Sequence, residues 1–344
     1  MSSGLIDLGF AARVAARFAA AGPVDPTYIQ DDLDRHFAEL VAEAEPHIER
    51  ETGFHCPEPA VAEVLTRGEW AENNIESMTQ MMSPLLERVE RKMARTPGSD
   101  FARMAYRPAL GAQLGGVLGF LSRRVLGQYD LLKGHENRVW FVGPNIVATE
   151  KRFGFVPRDF RMWVTLHELT HRAQFEGNPW LRRHFLESVG EMLGGFDLDG
   201  RFLIERILDG LRGKGDGAPL GIRMLGPKQR AMFDKLQAFM TVIEGHGNFI
   251  MDRVGEDTIP TQSRMRQALR SGGGPSGNLL TKILWKLLGL EMKKAQYDRG
   301  QKFFDGVYAI GGSRAVGLAF AGPQNLPTLS EIEEPARWLE RVDS

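Results

Sequence analysis

Phe160-Arg161-Met162-Trp163-Val164-Thr165-Leu166-His167-Glu168-Leu169-Thr170-His171 is the stretch on which the fold turns. It is mostly apolar and holds no Gly or Pro, so it predicts a helix that starts after Pro157 with Asp159 as N-cap. Each helical residue turns about 100°, so residues four apart lie about 40° from eclipsed and one turn apart. His167 and His171 therefore share a face and can offer two imidazoles to one metal ion. Glu168 projects from the neighbouring side. There it is placed to take a proton from a water that the metal activates rather than to ligate the metal. This is the arrangement of a zinc hydrolase whose glutamate is the general base. Leu166, Leu169 and Ala173 keep the flanks uncharged, and Arg172 is the departure. Gly177, just before Asn178-Pro179, is the expected C′ residue that ends the helix.

A catalytic zinc takes three protein ligands and leaves one position open. The extended motif with a third histidine fails, because Gln174 stands where its Gly belongs and Gly177 where its His belongs. The third ligand must come from another segment, and three residues compete. Glu244 is the first choice: it is one carboxylate in the apolar run Phe239 to Met251, where a buried charge needs a cation or a partner. Gly245 and Gly247 beside it let another helix approach closely. The Glu-Gly pair resembles the carboxylate-bearing helix of gluzincins. Glu191 follows His171 at a spacing that thermolysin-like enzymes use, on what reads as an ordinary amphipathic helix. His246 is the third option, and it reads better as a hydrogen-bond donor to the oxyanion beside the metal. Tyr297 is a second candidate for that donor. Asn248, one turn after Glu244, is a candidate to hold the carboxylate.

Further blocks carry a resemblance. They are Gly111-Ala112-Gln113-Leu114-Gly115, Leu126-Gly127-Gln128-Tyr129-Asp130 and Val139-Trp140-Phe141-Val142-Gly143-Pro144-Asn145-Ile146. After the histidine motif come Pro179-Trp180-Leu181, Glu244-Gly245-His246 and Lys294-Ala295-Gln296-Tyr297. In this order they resemble a family of zincin-like metallopeptidases found largely in actinobacteria and chloroflexi. Some of its members are named for biosynthesis of a deazaflavin coenzyme. The resemblance covers most of the chain and implies a mostly helical, zincin-like fold, but it supplies no substrate. Gly247 stands where relatives are expected to carry Ala.

Composition bounds the rest. The 344 residues are 42% hydrophobic and 25% charged, enough for a substantial core in one large unit or two intimate ones. A net charge of −1 gives no basic surface for nucleic acid. The lone Cys56 excludes an intrachain disulfide framework and zinc sites built from cysteine clusters, and fits a reducing compartment. Met1 to Ala21 is interrupted by Asp7, Arg13 and Arg17 and reads as an amphipathic helix rather than a signal peptide. Leu110 to Leu121 is too short to span a bilayer. Its Gly111, Gly115 and Gly119 point instead to close helix–helix contact. The expectation is a cytoplasmic protein without membrane or nucleic-acid partners.

The fold class expected is mainly α, with a small β element beside the motif helix. Helices are expected at 26–51 (pausing at Pro46), 57–96, 100–130, 180–194, 199–212, 226–254, 261–270, 277–288 and 299–311. Arg138 to Val147 is the strand, with Gly143-Pro144-Asn145 as a break or bulge, and its edge is a place for a peptide to add. An N-terminal helical region at 1–135 and a catalytic region at 136–344 would form one continuous unit. The function expected is a zinc-dependent hydrolase of a peptide or small amide. The alternative is a helical scaffold with a structural or degenerate metal site.

Overall fold

The computed structural model describes residues 5–19, 28–94, 99–132, 137–194, 227–271 and 297–343. These residues are mainly α-helical with one small sheet, as the sequence predicts. Helix α1 (Leu8–Ala19) lies along α5 (Ser99–Ser122), and the glycines of α5 make the approach possible. A methyl group on Gly111 would sit 2.6 Å from the Asp7 carbonyl oxygen, one on Gly119 2.8 Å from that of Ala15, and one on Gly115 would run into the Ala11 carbonyl. Helices α3 (Arg67–Met81) and α4 (Ser83–Ala94) complete this layer. Thr66 closes the start of α3 with a capping box to Glu69.

The sheet runs in the order β1 (Val61–Leu65), β3 (Arg138–Val142), β2 (Gly127–Tyr129), parallel between β1 and β3 and antiparallel between β2 and β3. β3 is buried on both faces. Val139 and Phe141 enter the larger core, where Phe141 stacks on Phe37 at 4.0 Å, while Trp140 and Val142 enter a second core with Trp70. A strand covered on both sides reads as an unbroken apolar run, which is why this one was legible. The other two were not: the structure places β1 inside 57–96 and β2 inside 100–130, both expected to be helical. β1 mixes small, acidic and apolar residues, and β2 is Gly-Gln-Tyr; pairing with β3 decides both. β3 is also the central strand, so it has no free edge; the two edge strands are β1 and β2, and it is β2 that lies beside α7. The expected bulge at Gly143-Pro144-Asn145 is instead the start of α6 (Gly143–Phe153), with Pro144 in its first turn and Gly154 closing it at φ 61°.

The motif helix α7 (Pro157–Gly177) packs against α2 (Tyr28–Thr52), against β2, and against a long helix, here α9 (Pro227–Thr258), that follows α8 (Pro179–Gly194). Its cap differs from expectation. Val156 is the N-cap and Pro157 the first helical residue, while Asp159 lies in the first turn and accepts from the Thr261 backbone N–H at 3.0 Å and hydroxyl at 2.6 Å. Gly177 is the last residue of the helix, not a left-handed C′ residue. Its missing side chain makes room for Phe54, whose Cβ would lie 2.7 Å from a methyl there. Nor does α2 pause at Pro46: Leu40, Val41, Ala44 and Ile48 bury one continuous face. Arg172, the charged departure on α7, is 1% exposed and turns toward α2. There it pairs with Glu45 and Glu176 and donates to the Glu58 carbonyl.

Helix α10 (Gln262–Ser271), helix α11 (Tyr297–Gly317), two 3-10 turns, α12 (Leu329–Ile332) and α13 (Pro335–Val342) follow. α11 crosses α9 at a pair of glycines, Gly245 against Gly300, too close for a side chain on either. The helices expected at 199–212 and 277–288 lie outside the described residues. Elements from both sides of residue 135 share one framework, since β1 pairs with β3 and α2 packs on α7. No helix among the described residues is long and apolar enough to cross a membrane.

Candidate metal centre

Helix α7 carries His167, Glu168 and His171 on the side facing α9, and α9 brings Glu244 to them. The two Nε2 atoms of His167 and His171 are 3.2 Å apart, and the Glu244 Oε2 lies 4.0 Å from the first and 3.9 Å from the second. Among the described residues these three are a group of possible ligand atoms all within 4.8 Å of one another. Two ligand atoms on a tetrahedral zinc, each about 2.0–2.1 Å from the ion, lie roughly 3.3 Å apart. The imidazole pair is already close to that separation. His171 and Glu244 are each 3% exposed, so this is a buried carboxylate facing two imidazole nitrogens, a donor set that suits zinc. The side chain of His167 is 14% exposed and forms the wetter side of the group. Its ring runs parallel to Trp163, 6° between planes, while the His171 ring stands at 83° to it. Burial, then the neighbouring His171, drives the His167 pKa well below the ordinary histidine value, keeping it in the neutral form a metal needs.

Glu168 lies beside the group, not in it. Its carboxylate accepts from the Tyr129 backbone N–H of β2. The Glu168 chain passes over Gly127, where a methyl would lie 2.6 Å from its Cγ. Gly127 and Tyr129 thus frame Glu168, while Gln128, between them on the strand, points the other way. There Gln128 accepts from the Trp70 indole at 2.7 Å and donates to Asn74 at 3.0 Å. Burial, followed by the nearby Glu244, pushes the Glu168 carboxyl up to about 8.

The remaining expected residues fall elsewhere. Glu191 is exposed on α8, away from the imidazoles. His246 is 1% exposed and its Nδ1 accepts from the Gln174 amide at 2.9 Å. Its ring sits among Phe54, Phe249, Phe304 and Phe320, with the Phe320 centroid at 4.5 Å. That placement, behind His171 and engaged by Gln174, does not fit the oxyanion donor expected of it. Burial, then His171, lowers its pKa to about 3. Tyr297 opens α11, but its side chain lies outside what the structure describes. Asn248 is half-buried on α9. Gly247 faces both imidazoles: a methyl there would lie 3.2 Å from the His171 Cε1 and 3.8 Å from that of His167. A cavity of about 330 Å³ opens on the other face of α7, lined by Phe54, Cys56, Leu169, Arg172 and Ala173 among others. Its α7 residues point away from the imidazoles, so it is not the chemical site.

Gln174, Gly127 and the Tyr129 backbone were missed as parts of the site. Gln174 left a signal as the residue three after His171, where a helix brings side chains together, and Gly127 and Tyr129 lay in a block that carried the resemblance without pointing to the site.

A family model described as zincin-like metallopeptidase matches residues 6–339. A chain from Chloroflexus aurantiacus, described with its crystal structure as "a putative hydrolase with a novel fold", is 33% identical, with a TM-score of 0.77 over 98% of this chain and 99% of that one. No curated protein matches the sequence.

Proposed function

Since this chain belongs to the zincin-like metallopeptidase family, we propose that it is a zinc-dependent hydrolase that cleaves an amide, in the first place a peptide bond. The observation that carries this reading is the convergence of the His167 and His171 Nε2 atoms with the Glu244 carboxylate, with the buried Glu168 alongside. His167, His171 and Glu244 would hold the ion. Bound there, zinc supplies Lewis acidity, which lowers the pKa of water and polarises a carbonyl. Glu168 is the base: it lies beside the three ligands with one oxygen held by the Tyr129 N–H, so in the zinc-loaded protein, where the ion's charge offsets that of Glu244, its carboxylate can take a proton from the attacking water and hand it to the departing amine. Gly127 leaves the space that lets the carboxylate lie there, and the Tyr129 N–H fixes one of its oxygens. β2 is the edge strand beside Glu168, and an extended peptide added to it would bring its backbone to the carboxylate.

The test combines metal and turnover. The purified protein should contain one zinc by elemental analysis, exchangeable under mild chelation, and should cleave members of a peptide library or denatured proteins. Glu168→Gln should keep the zinc and lose turnover, and His171→Ala should lose the zinc. A metal that resists chelation in a protein without amide-cleaving activity would overturn the reading in favour of a scaffold with a structural site. Activity on small amides but never on peptides would move the assignment to an amidase.

A further inference from the structure

Gln174 is 0% exposed and touches two histidines, His171 of the metal group and His246 behind it. Its amide nitrogen lies 3.0 Å from the Ile243 carbonyl oxygen and 2.9 Å from the His246 Nδ1, and its amide oxygen lies 2.9 Å from the His171 Nδ1. The two ends of an amide are chemically different, and the hydrogen-bond partners fix which end is which. A backbone carbonyl only accepts, so the atom facing Ile243 must be the nitrogen. A flipped amide would set two carbonyl oxygens against each other in a buried site, a repulsive contact in place of a hydrogen bond. The oxygen therefore faces His171, and an amide oxygen cannot donate. The proton of that contact belongs to the His171 Nδ1. In a neutral ring this leaves the Nε2 with its lone pair, aimed at His167 and Glu244. On the other side the amide N–H donates to the His246 Nδ1, so the proton of His246 sits on its Nε2.

We propose that Gln174 is a positioning residue: held by the Ile243 carbonyl and backed by His246, it locks His171 in the Nδ1–H tautomer and so presents its Nε2 to a metal. The phenylalanine rings around His246 exclude water, so no solvent molecule takes over if the amide is removed. His167 follows from the same logic. Its Nε2 faces the His171 lone pair at 3.2 Å, so in the metal-free protein His167 is the donor of that contact. This also gives His246 its place, as the acceptor that together with Ile243 keeps the amide from turning over.

The inference rests on the metal reading only in naming what the lone pair is for; the tautomer belongs to the metal-free chain and is measured without zinc. Long-range imidazole nitrogen–proton NMR on metal-free, histidine-¹⁵N-labelled protein at neutral pH should show His171 protonated on Nδ1. Gln174→Leu, which keeps bulk but neither donates nor accepts, should release His171 to the other tautomer or to exchange between the two. It should also weaken zinc binding about 10–100-fold in a competition titration with a chromophoric chelator. Gln174→Glu keeps an acceptor for His171 and should restore its tautomer. A wild-type His171 protonated on Nε2 overturns the proposal whether or not either variant folds. So does a folded Gln174→Leu protein with unchanged tautomer and unchanged zinc affinity. If the tautomers behave as expected but no form binds zinc, the positioning role stands and the hydrolase reading falls.

Discussion

Replacing the buried base should make the metal-free protein more stable, by an amount that depends on pH. Glu168 has an ordinary carboxyl value of 4.5 when exposed and about 8 in the fold, where burial and Glu244 oppose its charge. Between those values the unfolded chain has released the proton and the folded chain keeps it. The folded state therefore binds more protons, and stability falls as pH rises, by about 1.4 kcal/mol per pH unit for one group. Across the interval the loss reaches roughly 5 kcal/mol, and above pH 8 it grows no further. Glu168→Gln keeps the shape and carries no charge, so the loss disappears. Urea denaturation of both metal-free proteins at matched pH between 5 and 8 gives the difference directly, because every other titrating group is shared. The variant should gain little near pH 5 and several kcal/mol by pH 8, while losing turnover in the zinc-loaded form. A difference that stays flat over this range, or shrinks as pH rises, would refute the placement of an ionisable Glu168 in a dry site beside Glu244.

Two further changes test the packing around the site. Gly115→Ala should destabilise by about 1–3 kcal/mol, because the new methyl meets the Ala11 carbonyl, whereas Gly116→Ala on the same helix faces open space and should stabilise by about 0.5–1 kcal/mol; opposite shifts of the two urea midpoints check the register of α1 on α5. Gly127→Ala has an ordinary backbone conformation to keep, so its effect is steric: the Glu168 Cγ, at 2.6 Å, must retreat by about 0.8 Å to reach ordinary contact. A shift of that size should lower kcat about 10–100-fold with zinc content unchanged, and loss of zinc in this variant would instead place Gly127 against the ligands.

The sequence alone determined the parts whose signal is local. Two imidazoles one turn apart on a Gly- and Pro-free apolar helix need nothing but helical geometry to share a face. The glycines at 111, 115 and 119 likewise announced close contact because a helix repeats at that spacing. The lone carboxylate Glu244 stood out because an apolar run cannot bury a charge without compensation. Only the tertiary structure decided between Glu244 and the competing Glu191, since it shows the first turned toward the imidazoles of α7 and the second toward solvent. It also made strands of Val61–Leu65 and Gly127–Tyr129, whose short, mixed sequences acquire their conformation from hydrogen bonds to β3. His246 and Gln174 show the same limit from the other side. What a polar side chain does in a dry core depends on which partners close around it, and those partners come from segments 69 and 72 residues apart in the chain.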